Sequence, residues 1–573
     1  MQEFIVEQVN SRQAQPGLKV NEFFIHSKYN PIIEAERIAT TYYENHHTHI
    51  IFGYGLGYIV DALLPKVHDG KIIIIDPLIE KGILNINSRH ENVEQIIYWD
   101  NKQVNTLAYI VSSIAKGLDL KIKIICAPNY DKLFMQEYYE ILKYISEFQN
   151  KTIVNQNTVI FFSEQWQNNL AQNLLPIVQD ETLSVLHNKL NLPIVVASGG
   201  PSLTKQLGLL KQIQEYVIII AAGSTINSLL AAQIEPDFVV SIDGGEPNYN
   251  HFKELKLEKA RLIYSVFNHP GIRNAFEKRA FVFAETSQLP IKKYLYDKFD
   301  IDTPLITGGG TVAHFSLSIA QLLNSGPIAL IGQDLAYTNN LTHASNNKHT
   351  QNIDNSNANV VWADGYDGEK VLSSRVFMSM KVTFEEMMRF NKPAVPLYNC
   401  TEGGIKLKGY DQIPFKEFVE RYINMQQLKD LSEIDGEKYS RKSDGEIIDI
   451  LEEEIKILNK LDRILSDALH LLANNHSKTS FNPKTLKKLD KIDKQIETLT
   501  KDVQMHFLVN PIVIEVGNCF LEKPNETPEE TYQRIYNQTH TLYTRLLEAI
   551  GKSKLNVRQT IALLENGGKK TNE

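Results

Sequence analysis

Cysteine is scarce. The chain has three in 573 residues, Cys126, Cys400 and Cys519, far apart and without any CxxC or Cys/His grouping. Neither a disulfide scaffold nor a structural zinc site is indicated. No apolar run approaches the ~20 residues of a membrane helix. The opening MQEFIVEQVNSRQ lacks a basic stretch followed by an apolar one, so no signal peptide is visible and a cytoplasmic location without membrane insertion is expected. A basic field is missing as well. Lys and Arg total 60 against 68 Asp and Glu, a net charge of −8 with the signs well mixed, which speaks against a nucleic-acid partner.

What is present is an ordinary globular composition, 43% hydrophobic and 22% charged. At roughly 100–200 residues per domain the chain holds three or four units. Residues 1–150 read as an α/β domain of Rossmann-like pattern. An apolar strand in HIIIFGYGLGYIVDALL enters a glycine turn and a helix, and IIIID then ends in Asp76. The order strand, glycine turn, helix, strand, acid resembles a nucleotide fingerprint, with GxGxG spacing in place of GxGxxG. Residues 151–190 read as a helical connector.

Residues 191–420 alternate strands such as PIVVAS, YVIIIAA, DFVVSID and PIALIG with helical stretches. This predicts βαβ units and a doubly wound parallel sheet. From 421 to 573 the strand signal stops. GEIIDILEEEIKILNKLDRILSDALHLLAN carries Ile and Leu at three- and four-residue spacing, which predicts amphipathic helices in a small bundle.

Open α/β sheets bind ligands beyond the carboxyl ends of their strands. The strand at 193–198 ends in Gly199, Gly200, Pro201 and Ser202, with Ser202 placed to cap the next helix. A second turn carries Thr307, Gly308, Gly309, Gly310 and Thr311, followed by His314. Glycines let a phosphate reach the backbone, and a helix start adds free N–H donors. No Gly-Lys-Ser/Thr follows either turn, so neither is a Walker A loop. Asp243 ends the DFVVSID strand. The run ALIGQDLAYTNNLTHA delivers Gln333, Asp334, Tyr337 and His343 just past another strand. The segment 338–370, with Trp362 and Tyr366, reads as a long loop of the kind that covers or binds.

These motifs, VVASGGPSLTKQLGLLK, IEPDFVVSIDGG, ITGGGTVAHFSLSIAQLL and GPIALIGQDLAYTNNLTHA, occur in that order, with IIFGYGLGY and IIIIDP upstream. Together they resemble the Maf (motility-associated factor) flagellin glycosyltransferases over most of residues 40–420. The resemblance implies a central domain similar in fold to bacterial sialyltransferases and to archaeal 6-hydroxymethylpterin pyrophosphokinase. It also implies a CMP-activated nonulosonic acid donor of pseudaminic or legionaminic type and a Ser or Thr acceptor on flagellin, with no metal or further cofactor required.

By the same resemblance Gly199, Pro201 and Ser202 fall in the first nucleotide loop. Asp243 follows its strand, and Gly308, Gly309 and Thr311 fall in the loop that holds CMP. Asp334 and Tyr337 lie near the donor carboxylate and phosphate. The relatives' catalytic histidine would fall near 364–375, where this chain has none. A base is needed to deprotonate the acceptor. His343 is the first choice, with His314 and His349 as alternatives. Tyr337, Thr307 and Thr311 suit the phosphate. The competing readings are a pterin-type diphosphokinase using ATP and Mg, with Asp243 or Asp334 as metal ligands, and a non-catalytic flagellin-binding factor. The helical end offers a docking face for flagellin.

Overall fold

The computed structural model describes residues 4–45, 47–68, 71–91, 93–94, 96–99, 122–352, 360–390, 393–435, 442–475, 480–523 and 526–566. It divides into two compact units, Met1–Val159 and Ile160–Glu573.

The first unit opens with an antiparallel sheet of β1 (Val6–Asn10), β2 (Pro16–Val20) and β3 (Phe23–Phe24). Helix α1 (Pro31–Tyr42) starts where the Asn30 side chain accepts from the N–H groups of Ile32 and Ile33 and Pro31 supplies its preset φ. Then come β4 (Thr48–Phe52), α2 (Tyr58–Leu63), β5 (Ile72–Ile75), β6 (Ile96–Trp99) and β7 (Ile122–Cys126). The last four strands are parallel in the order β6-β5-β4-β7. Every residue of β4 and β5 is buried, which is why both read as unbroken apolar runs.

A 45-residue helix, α3 (Met135–Gln179), follows. The stretch expected as a helical connector is helical as far as Gln179. Leu170, Leu174, Ile177 and Val178 are buried in the main core of the second unit.

That unit is built on a ten-stranded parallel sheet. In chain order its elements begin with β8 (Glu181–Thr182), β9 (Ile194–Ala197), α4 (Leu203–Ile213), β10 (Ile218–Ala222), α5 (Thr225–Ala231), β11 (Phe238–Ser241) and β12 (Arg261–Ser265). They continue with β13 (Phe281–Glu285), α6 (Leu289–Phe299), β14 (Leu305–Ile306), α7 (Val312–Leu323) and β15 (Ile328–Ile331). A hairpin, β16 (Val360–Asp364) with β17 (Lys370–Ser374), stands apart from the sheet and occupies part of the segment expected to be an irregular loop. Next are α8 (Arg375–Phe390), β18 (Leu397–Asn399), β19 (Asp411–Gln412) and α9 (Phe415–Tyr422). The chain closes with α10 (Asp444–Ala473), α11 (Pro483–Thr500), α12 (His506–Cys519) and α13 (Pro528–Glu565).

The strand order is β14-β13-β12-β11-β10-β9-β15-β18-β19, with β8 also on β13. From β9 the chain winds outward to β14, returns over α7, and winds the other way from β15. The switch point lies between β9 and β15. Strand residues alternate between two cores. Val195, Ala197, Ile219 and Leu262 face one, and Ile194, Val196, Ile218 and Ile263 the other.

The helical region expected as a separate domain shares the first of these cores. Ile447, Leu451, Leu458, Leu461 and Leu465 of α10 and Tyr543, Ile550 and Val557 of α13 belong to it. Tyr294 of α6 donates to the buried Glu454 carboxylate at 2.7 Å. The apolar stripe of α10 is therefore covered by its own chain. Cutting α10 away would uncover a sheet face.

Candidate functional site

At the switch point the ends of β9 and β15 are stitched together. Ser198 Oγ donates to Gln333 Oε1 at 2.7 Å, and Gly200 N–H donates to Gly332 O at 2.8 Å. Gly200 has to be glycine, because a Cβ there would overlap Asp334 Oδ1 and Gly332 O. Asp334, 1% exposed, accepts from Ser202 Oγ at 2.6 Å, from Ser202 N–H at 3.2 Å and from Thr338 Oγ1 at 2.7 Å. Burial raises its carboxyl above the ordinary value against these bonds, which lower it. Asp334 thus ties the Ser202 loop to the Thr338 loop. Ser202 does not cap α4 as expected, since its hydroxyl goes to Asp334.

Just beyond, Leu335 sits at φ 48°. A non-glycine residue there costs on the order of 1 kcal/mol and persists only where its surroundings hold it. Here Ser373 Oγ donates to Leu335 O at 2.7 Å, and Ile405 N–H donates to Asp334 O at 2.8 Å.

The end of β10 supplies a third glycine turn, Gly223-Ser224-Thr225, that the sequence reading passed over. A methyl added at Gly199 would lie 3.0 Å from Asn347 Nδ2, 3.3 Å from Thr225 Oγ1 and 3.6 Å from His343 Cδ2. Asn347, buried, donates to Ser224 O at 3.4 Å. The second predicted loop reaches the same place, for a Cβ on Gly223 would meet Val312 at 3.5 Å. Thr311 caps α7, accepting from His314 N–H. Gly308 and Gly309 are packed against Phe315, Thr383 and His314, whereas Gly310 faces open space. Thr307 is exposed beside it. Gly199, Thr307, Gly310 and the start of α7 therefore belong to one carboxyl edge.

The histidines separate clearly. His314 is fully buried, with Nε2 donating to Met380 O at 3.0 Å, Nδ1 3.3 Å from Thr311 Oγ1, and its ring 4.3 Å from that of Phe384. Burial takes its pKa down to about 4. It is a satisfied core residue and has no free nitrogen for a substrate. His343 is half-buried beside Gly199. Burial and then His349 lower its pKa, and its enclosed Nδ1 has no hydrogen-bond partner. His349 lies 5.7 Å away, ring to ring, and its Nε2 is 2.9 Å from Nε2 of His251, whose pKa burial takes down to about 4. Tyr337 is half-buried, its ring 5.3 Å from that of Phe377.

Asp243 is reached by solvent yet sits in a recess. The surrounding protein is dense enough to raise its carboxyl, by desolvation. Near it is a residue the sequence reading missed, Glu285, the last of β13. Burial, then the charge of Asp243, pushes its pKa up to about 7. Glu285 is aligned with Ile306, one residue before Thr307. The apolar run AFVFAE ending in an acid was the available signal. Among the described residues no group of three or more His, Cys, Asp or Glu is arranged to hold a metal.

The N-terminal glycine turn has a different fate. Gly53, Gly55 and Gly57 all have positive φ, but Tyr130 fills the space over Gly53 and His26 that over Gly55. Asp76 accepts from Tyr54 N–H at 2.6 Å, Leu78 N–H at 2.7 Å and Tyr130 Oη at 2.8 Å. The remaining cavity, lined by His26, Glu34, Tyr54 and Tyr130 among others, is about 10 Å³, room for about one water.

Fold and edge together define a doubly wound α/β protein whose glycine turns meet at a switch point. A family model described as 6-hydroxymethylpterin diphosphokinase MptE-like matches residues 168–340. Over nearly the whole chain, the structure is similar to the solved Maf glycosyltransferase from Magnetospirillum magneticum AMB-1, with a TM-score of 0.57 at 15% identity, covering 98% of this chain and 93% of that one. No curated protein sequence matches. The resemblance to Maf drawn from the motifs thus holds for the fold from end to end.

Proposed function

We propose that the chain is a glycosyltransferase that moves a nonulosonic acid, of pseudaminic or legionaminic type, from a CMP-sugar to a Ser or Thr of flagellin in the cytoplasm. The observation that carries this is the convergence of three glycine-bearing turns, after β9, β10 and β14, on one carboxyl edge that also holds a neutral histidine. The Maf-like fold supports it.

In this reading the backbone N–H groups at the start of α7, with Thr307, Thr311 and Tyr337, stabilise the departing CMP phosphate. The glycosidic bond to phosphate breaks through an oxocarbenium-like state, and the acceptor oxygen forms the new bond. Its proton passes to His343, which desolvation keeps neutral and ready to accept at working pH. Gln333 and Asp334 hold the loop that presents His343. The step calls on no metal.

Thermal shift tests the reading. CMP without metal should raise the melting temperature by mass action. Stabilisation by ATP with Mg alone, or by 6-hydroxymethylpterin, would replace it with a diphosphokinase. Intact-mass analysis of flagellin co-expressed with the protein and a nonulosonate pathway tests donor and acceptor together.

No helix among the described residues is long and apolar enough to cross a membrane.

A further inference from the structure

The β16–β17 hairpin touches the site through its second strand. Tyr337 N–H donates to Leu372 O at 2.8 Å, and Ser373 Oγ donates to Leu335 O at 2.7 Å. The first of these bonds fixes the sense of the ladder. In an antiparallel pair, a residue whose carbonyl is used outward has both backbone groups outward, and so has the residue opposite. Leu372 stands opposite Trp362. The N–H and C=O of Trp362 therefore point away from β17, as do those of Val360 and Asp364. Asp364 agrees, since its carbonyl accepts from Lys406 N–H at 2.9 Å on that outer side.

The outer edge is partly covered. Gly365 bridges Ile405 in antiparallel fashion, and Tyr366 N–H donates to Gly404 O at 2.9 Å. The same short segment holds Asp334 through Ile405 N–H. Asp334, residues 404–406 and the end of β16 thus lie side by side, with neighbouring strands ~4.8 Å apart. The outer ladder stops at Asp364. Among the described residues nothing pairs with the outward groups of Val360 and Trp362. Trp362 is 69% exposed, and the run Val360-Val361-Trp362 carries no charge. Such an edge recruits a further strand unless it is blunted.

We propose that the outer edge of β16 at Val360–Trp362 takes the acceptor polypeptide as an added extended strand, with Trp362 against its side chains. This rests on the transferase reading and names how that site holds its acceptor. A strand edge recognises the backbone of an extended chain, which a helical acceptor segment cannot offer because its backbone groups are already paired. Trp362 stands opposite Leu372, whose carbonyl accepts from Tyr337 N–H, so an added strand on this edge passes Tyr337 across the width of the hairpin.

The test uses the full-length chain, its Val360→Pro and Trp362→Ala variants, and a fluorescein-labelled nonapeptide of Thr, Ser and Val. Val360→Pro deletes an outward N–H without removing a hairpin bond. Anisotropy should show binding of the peptide to the native chain, at least tenfold weaker for either variant. The same peptide N-methylated at alternate residues should bind at least tenfold more weakly to the native chain. The CMP thermal shift should be unchanged throughout. Binding indifferent to N-methylation, or unaffected by Val360→Pro, overturns the proposal. So does a native dimer that either variant turns into a monomer in sedimentation, because a second copy would then own the edge. Peptide binding without a CMP shift would sink the transferase reading and leave the edge standing. A CMP shift without peptide binding would do the reverse.

Discussion

The two parallel sheets of this chain carry the same device. Each has a switch point, between β4 and β7 in one and β9 and β15 in the other, and each puts a glycine turn and a strand-end aspartate beside it. In the first sheet Tyr130 and His26 occupy the space the glycines leave. In the second, Gly199 and Gly310 look onto Thr225, Asn347, His343 and open space. The difference is in what fills the turn, and it comes from residues remote in sequence. Both aspartates serve the junction itself. Asp76 and Asp334 are both buried and both fully used in holding backbone and hydroxyl groups. A glycine turn followed by an acid therefore marks a tight strand junction, and only the volume around it says whether a ligand fits.

The contrast can be broken most severely at His343. His343→Ala should lower transfer by roughly 10²–10⁴-fold, the usual worth of a general base, with CMP affinity unchanged. Single-turnover rates and a CMP titration check it, and retained transfer eliminates His343. Next is Gly200→Ala. Its added methyl has no room beside Asp334, so unfolding in urea should show a loss of about 1–3 kcal/mol together with weaker CMP binding.

Glu285 gives a pH signature. Its folded pKa, about 7, lies above its unfolded value, so the folded state favours the protonated form. Its stabilising contribution is full at acid pH and is lost as pH rises from about 4.5 through about 7. Glu285→Gln should therefore gain on the native protein by about 1–3 kcal/mol between pH 4.5 and pH 8 in denaturant titrations. A pH-independent difference would show that the group is not perturbed. The smallest effect belongs to the N-terminal turn. Tyr130→Phe should cost about 1 kcal/mol by removing one bond to Asp76, and leave the CMP shift untouched. A changed CMP shift would mean the filled turn still takes part in binding.

The alternation of strands and helices was legible because buried parallel strands such as IVVA and IALI are continuous apolar runs. The loops were legible where glycines cluster, at 199–200 and 308–310. Thr225, Asn347 and His251 were not, because a turn such as Gly-Ser-Thr is ordinary in sequence and acquires meaning only when a loop from residue 347 lands beside it. His314 misled for the opposite reason. Its position after the glycine loop reads as a site, but one helical turn carries the ring inward onto Phe384. The hairpin at 360–374 was hidden by its polar turn, and the seam between sheet and helices by the assumption that a change of periodicity marks a change of domain.

That shared core bears on how the protein is made. Thr560 of the last helix donates to Ala171 O at 3.2 Å, and Ser553 bonds Gln167 of α3. One face of the sheet therefore stays uncovered until the final helix leaves the ribosome. At about 5–20 residues per second that exposure lasts on the order of tens of seconds. Nascent chains need shelter for that interval, and a chain that stops early keeps an apolar sheet face open to solvent.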